Sequence, residues 1–135
     1  MRRRGRSLAL QTLYETDCTG HKVDEVLPRI AAEIEASEDN IAFARELVSG
    51  VVTNRQRIDG VIARFAPAFP VMQIASIDRN ILRLAIYEVL LDNKVPMKAA
   101  INEAVDLAKA FGSDSSAKFV NGVIGSVAAE KIKTN

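Results

Sequence analysis

The stretch Gln73-Ile74-Ala75-Ser76-Ile77-Asp78-Arg79-Asn80-Ile81-Leu82-Arg83-Leu84-Ala85-Ile86-Tyr87-Glu88-Val89-Leu90-Leu91 decides the fold. Its apolar residues recur with helical period, and Ile74, Ile77, Ile81, Leu82, Leu84, Ala85, Ile86, Val89 and Leu90 wrap nearly around the helix they form. A helix apolar on most sides belongs in the middle of a bundle. The polar residues it carries need an account. Arg79 and Arg83 are a like-charge i,i+4 pair, which costs a few tenths of a kcal/mol if left exposed, as gives for such pairs. That spacing implies an acidic partner, either Asp78 and Glu88 or another molecule.

Helical pattern continues on both sides. Towards the C-terminus, Asp92-Asn93-Lys94-Val95-Pro96 is a turn. A helix from about Lys98 to Phe111 follows, with Ile101, Ala104, Val105, Ala108 and Phe111 in register and Gly112 as its C′ residue. Ser113 to Ser116 offers N-caps for a last helix. That helix carries Phe119, Val120, Val123, Ile124 and Val127, and Gly122 and Gly125 give it a thin face.

Towards the N-terminus, Ala66-Pro67-Ala68-Phe69-Pro70 stops a helix, and the apolar Phe69 predicts a linker packed against the protein. Four helices precede it. The first runs from Arg6 to about Thr16 with Ala9, Leu10, Leu13 and Tyr14 on its apolar stripe. The second begins near Asp24, its N-cap, with Pro28 close to the start. After a break at Ser37-Glu38-Asp39-Asn40, the third spans Ile41 to Arg57 and buries Ala44, Leu47, Val48, Val51 and Val52. The fourth covers Ile58 to Phe65. The chain therefore reads as all-α: one domain over residues 1–135, about seven helices, in two docked helical subdomains covering about 1–65 and 71–135.

Bulk composition agrees. Of 135 residues, 48% are hydrophobic and 26% charged, enough apolar surface to fold. Aromatics are 5% and Trp is absent, so aliphatic side chains and alanine must fill the interior. The net charge of +1 argues against a protein that coats nucleic acid by bulk charge. One cysteine, Cys18, excludes an intrachain disulfide and argues against a cysteine metal site, and the cytoplasm is the expected compartment. The apolar run after the basic start is too short and too polar to be expected as a signal peptide, and no segment is long and apolar enough to span a bilayer. His21, the only histidine, lies in a predicted turn with no paired nucleophile, so no enzyme and no cofactor are expected.

Charge is local instead. Arg2, Arg3, Arg4 and Arg6 cluster with no acidic residue before Glu15. Arginine forks pair with phosphates and stack on bases, which suits single-stranded RNA. The alternative is a solvated terminus. The charge also opposes the macrodipole of a helix that starts there. Lys118 and Phe119 open the last helix, where a cation beside a ring suits a phosphate and a base; periodicity puts Phe119 in the core instead. Asn121 reads equally as an RNA contact or a cap for a neighbouring turn. Tyr14 and Tyr87 read as surface hydroxyls or as ordinary half-buried tyrosines.

Arg4-Gly5-Arg6-Ser7-Leu8-Ala9-Leu10-Gln11-Thr12-Leu13-Tyr14 resembles the N-terminal signature of the NusB family of transcription antitermination factors. So do Ile81-Leu82-Arg83-Leu84-Ala85-Ile86-Tyr87-Glu88, then Val95-Pro96 with Ala100-Ile101-Asn102-Glu103-Ala104-Val105, and Lys118-Phe119-Val120-Asn121-Gly122. The blocks keep the family's order and span essentially the whole chain. The resemblance implies an all-helical, two-part, non-enzymatic RNA-binding protein. Its implied partners are the ribosomal protein NusE, the single-stranded boxA element of ribosomal RNA leaders, and RNA polymerase with other Nus factors, where the complex suppresses Rho-dependent termination. By the same resemblance Arg2, Arg3, Arg4, Arg6, Gln11, Lys118, Phe119 and Asn121 would hold RNA. Tyr14, Asp78, Arg79 and Arg83 would face NusE. Gly5 departs from the family pattern, where a better helix former usually stands, and implies a looser arm. Ribosomal RNA cytosine methyltransferases carry a NusB-like domain, but this sequence has no room for a methyl-donor-binding domain. The competing expectation is a protein–protein module, such as a homodimer that hides its RNA surface, motivated by the near-zero net charge and the many apolar helix faces.

Overall fold

A computed structural model describes residues 2–134. It contains seven α-helices and, among the described residues, no strand: α1 (Arg3–Thr19), α2 (Val23–Glu33), α3 (Glu38–Thr53), α4 (Arg55–Phe65), α5 (Ser76–Ile86), α6 (Met97–Phe111) and α7 (Ser116–Thr134). A 3-10 turn, Val71–Gln73, precedes α5, and a π-helical segment, Tyr87–Asp92, follows it. The helix expected over 73–91 is thus centred where periodicity puts it but differs at both ends.

Caps set the start of α3 and the end of α1, whereas α2 starts at Val23 without a side-chain cap and the expected N-cap Asp24 sits in its first turn. Ser37, Glu38, Asp39 and Asn40, read from sequence as a break, start α3: the Ser37 hydroxyl accepts the Asn40 N–H at 3.2 Å, and two carboxylates sit in the first turn. Gly20 closes α1 at φ +77°, with its N–H on the Thr16 carbonyl. Gly112 ends α6 in extended backbone rather than the left-handed conformation expected of C′. Glycine is needed there for space, because a Cβ would lie 2.4 Å from the Ser116 hydroxyl.

α5 is the centre, packing against α1, α3, α4, α6 and α7. A single core cluster joins α1–α4 to α5–α7, with Leu8, Leu10, Leu27, Leu47, Ile58, Ile62, Ile81, Leu82, Ile86 and Ile124 all removed from solvent. Burying each such side chain stabilises by roughly 1.5–3 kcal/mol before entropy is set against it.

Three apolar expectations change. On α3 the buried stripe is Phe43, Ala44, Leu47, Val48 and Val51, and Val52 is 52% exposed, because it falls past the edge of that stripe at the helix end. On α6 the buried face is Ala100, Ala104, Leu107 and Ala108; this rotation leaves Ile101 and Val105 half-buried and Phe111 partly exposed. Phe69, expected to pin the linker, is 62% exposed, and Ala66 and Val71 on either side pack against the core instead. Gly122 and Gly125 face open space, so no helix uses the thin face of α7.

Gly50 fixes how α3 meets the π segment. A Cβ on Gly50 would lie 2.1 Å from Cζ of Tyr87, so the tyrosine ring lies directly against the α3 backbone. Burial raises the Tyr87 pKa above the ordinary tyrosine value. Gly to Ala inside an exposed helix normally stabilises by about 1 kcal/mol. Here Gly50→Ala is expected to destabilise by about 1–3 kcal/mol through overpacking, measured by denaturant unfolding. In a Tyr87→Ala background the same change should stabilise.

Candidate nucleic-acid interface

The basic start of the chain is helical. α1 begins at Arg3, with Arg2 as its N-cap and no carboxylate in its first turn. Gly5 does not loosen it. Gly5 is buried, and a Cβ there would meet Phe43 Cδ2 at 2.6 Å, so the glycine admits α3 rather than fraying α1.

The four arginines divide. Arg2 lies over the Phe43 ring, 4.6 Å from its centroid. Arg3 is well exposed and reaches α6, donating from Nη2 to Asp106 at 2.6 Å and from Nε to Glu103 at 3.4 Å. Arg4 donates to the Ile34 carbonyl just beyond α2. Arg6 turns inward. Its guanidinium is 7% exposed and grips Glu88 with two parallel bonds of 2.8 and 2.7 Å. Burial opposes its charge, but the Glu88 bonds and field more than offset this and raise its pKa. Arg6 is therefore a core residue tying α1 to the π segment, which corrects its expected place in the RNA set.

Arg3 gathers what the sequence separates. Asp106 lines a surface hollow of about 560 Å³ with Asn102, Val105, Lys109, Ala117, Lys118 and Asn121. It also borders a hollow of about 320 Å³ with Arg3, Arg4, Ser7, Glu103, Leu107, Ala110 and Phe111. Phe111 then joins a third hollow that contains Gln11 and Tyr14. Lys118 and Asn121 are exposed; Phe119 is half-buried against the core, and Tyr14 is 38% exposed. Gln11 bonds back to Ser7. Sequence reading missed Asp106 and Lys109, because each looks like an ordinary solvated helix residue.

Asp78, Arg79 and Arg83 do not lie on an open face. All three are buried. Arg79 binds Asp17 at 3.0 and 2.8 Å and the Ile74 carbonyl at 2.7 Å. Arg83 binds Asp59 at 2.8 and 3.0 Å and Asp17 at 3.1 Å. Asn80 adds a bond to Asp17 at 3.0 Å. The acidic partners implied by the arginine pair are Asp17 and Asp59, not Asp78, Glu88 or another molecule. The arginines are consequently committed inside the fold, correcting their expected partner-facing role, and Asp78 is covered as well.

Among the described residues, no three His, Cys, Asp or Glu side chains gather to hold a metal ion, and no helix is long and apolar enough to cross a membrane.

A helical bundle whose candidate chemistry is surface charge, amides and rings is the architecture of a binding protein. The NusB family profile matches residues 3–129. Transcription antitermination protein NusB of Dehalococcoides mccartyi is 50% identical over 93% of this chain and 88% of its own length. T. maritima NusB superposes with a TM-score of 0.87 at 31% identity, covering 96% of this chain and 92% of that one. A crystal structure of antitermination factors NusB and NusE in complex with dsRNA matches with a TM-score of 0.87 at 26% identity, covering 96% and 98%. The chain belongs to the NusB family, whose members are transcription antitermination factors and not enzymes.

The Asp17 network makes stability depend on acid. Burial pushes the Asp17 carboxyl up, but hydrogen bonds from Arg79 and Asn80 and the field of Arg83 and Arg79 outweigh it, leaving its pKa below the ordinary value. A lowered folded-state pKa contributes stability above the unfolded value of about 3.9, and that stability is lost as pH falls through the folded value. Asp17→Asn should cost about 3–5 kcal/mol at neutral pH, the typical cost of orphaning buried charges. It should also flatten the fall of stability with pH below about 4. Thermal melts across a pH series check both.

Proposed function

We propose that this protein is an RNA-binding adaptor of transcription antitermination. It acts in the cytoplasm with ribosomal protein NusE on the single-stranded boxA element of ribosomal RNA leaders. It joins RNA polymerase with other Nus factors and suppresses Rho-dependent termination. The observation that carries the RNA part is the Arg3–Asp106 contact, which lays the basic first turn of α1 beside Lys118 and Asn121. The likeness to NusB in the NusB–NusE–dsRNA complex supports NusE and RNA as partners.

In this reading Arg2, Arg3, Arg4 and Lys118 hold phosphates, Asn121 and Gln11 offer amides, and the half-buried Phe119 ring supports a base. Tyr14, at the far end of the same run of hollows, is the residue proposed to meet NusE. Exposed Phe69 and Met72 around the linker favour a second reading as a self-associating module. Sedimentation at micromolar concentration separates the two, since a strict monomer removes the homodimer.

Anisotropy of a labelled boxA-type RNA, with and without purified NusE, tests the main reading. Selective binding that NusE strengthens is expected; equal binding of a scrambled RNA in both conditions sinks it. Arg3→Ala with Arg4→Ala should weaken binding and reduce the salt slope by about 1.4, from roughly 0.7 per phosphate contact on a single strand. Helicity should be retained.

A further inference from the structure

Asp106 is out of place on a surface built for phosphate. Its side chain is 43% exposed and lies at the junction of two hollows, one holding Lys109, Lys118 and Asn121, the other Arg3 and Arg4. Phosphate is repelled by a carboxylate at that point. An unpaired base is not, because guanine and cytosine present N–H donors that a carboxylate accepts. The side chain is also set up to receive one. Arg3 Nη2 binds Oδ2 at 2.6 Å, and Oδ1 takes no hydrogen bond among the described residues. A carboxylate carries about four acceptor positions, so Arg3 leaves capacity unused. The Arg3 bond orients the carboxylate in the free protein, and exposure keeps that ion pair weak enough for Arg3 to exchange onto a phosphate.

We infer that Asp106 is a specificity-determining residue of the RNA surface. Its free oxygen accepts a base N–H at the junction of the two hollows, and its charge turns the RNA backbone away from that point. The inference rests on the RNA-adaptor reading above and adds the chemical class it recognises: an unpaired base with an amino or imino donor, guanine first because its N1–H and N2–H lie side by side for a carboxylate.

The test measures anisotropy of the boxA-type RNA and of a scrambled RNA of equal length and composition, in a salt series. It compares the wild-type protein, Asp106→Ala and Asp106→Asn, each with NusE present and each checked by thermal melting. Asp106→Ala should bind the scrambled RNA more tightly, with a salt slope steeper by about 0.7 as one more phosphate is admitted. Its preference for boxA-type RNA should fall roughly ten-fold, the scale of one lost base contact. Asp106→Asn keeps an acceptor oxygen and loses the charge, so it should gain the same tighter scrambled binding while keeping more of the preference. An unchanged preference in Asp106→Ala, or equal weakening on both RNAs, overturns the assignment of Asp106. A wild-type protein that binds both RNAs alike overturns instead the RNA-adaptor reading on which it rests.

Discussion

The Asp17 carboxylate is the constraint around which the two ends of the bundle are arranged. It stands in the last turns of α1 and receives hydrogen bonds from three side chains of α5. α5 is buried on nearly every side, so its Arg79, Asn80 and Arg83 have nowhere to find water. A buried charge without a partner is far more costly than an unmade packing contact. The register of α1 against α5 is therefore fixed by charge as well as by shape. Asp59 extends the same constraint to α4 through Arg83. No buried side-chain nitrogen or oxygen among the described residues is left without a partner. The second buried pair, Arg6 with Glu88, repeats the device at the opposite end of α1 and anchors the π segment.

Much of this was legible in the chain because helical period is a local signal. The all-round apolar pattern of 73–91 places α5 at the centre, and the expected stripe of α7 is buried apart from a half-buried Phe119; on α1, Ala9, Leu10 and Leu13 are buried but Tyr14 is 38% exposed. What failed was what depends on neighbours. Val52 falls past the edge of its helix's buried stripe, and the buried Phe43, one turn from Leu47, opens it. Gly5 read as a helix weakness because only the fold shows Phe43 pressing on it. Arg79 and Arg83 did announce a need for carboxylates. The answering residues lie 62 and 24 positions away, beyond any periodicity argument. Arg6 looked identical to its neighbours Arg2, Arg3 and Arg4, and only its angular position on α1 sends it inward.

The candidate site was legible as a list and not as a surface. The cations of the first turn and the Lys118-Phe119-Asn121 block lie over a hundred residues apart, and α6 is what joins them. Its rotation away from the expected register frees Val105, Asp106 and Phe111 to border the hollows. A modest change in which face α6 buries thus sets the composition of the exposed surface. The low net charge of the chain fits this picture, since the basic residues are placed rather than abundant, and carboxylates stand among them.

The pairing of Arg6 with Glu88 spans 82 residues, which bears on how the protein is born. α1 leaves the ribosome first, yet its buried arginine has no counter-charge until the π segment emerges. At roughly 5–20 residues per second of synthesis, that interval is about 4–16 s. During it, α1 can pack on α2 and α3 but holds an uncompensated charge on the face meant for the π segment. The helix that opens the chain is thus among the last to be completed. Nascent chains halted before residue 88 should behave as loosely closed bundles, whatever the length of helix already made.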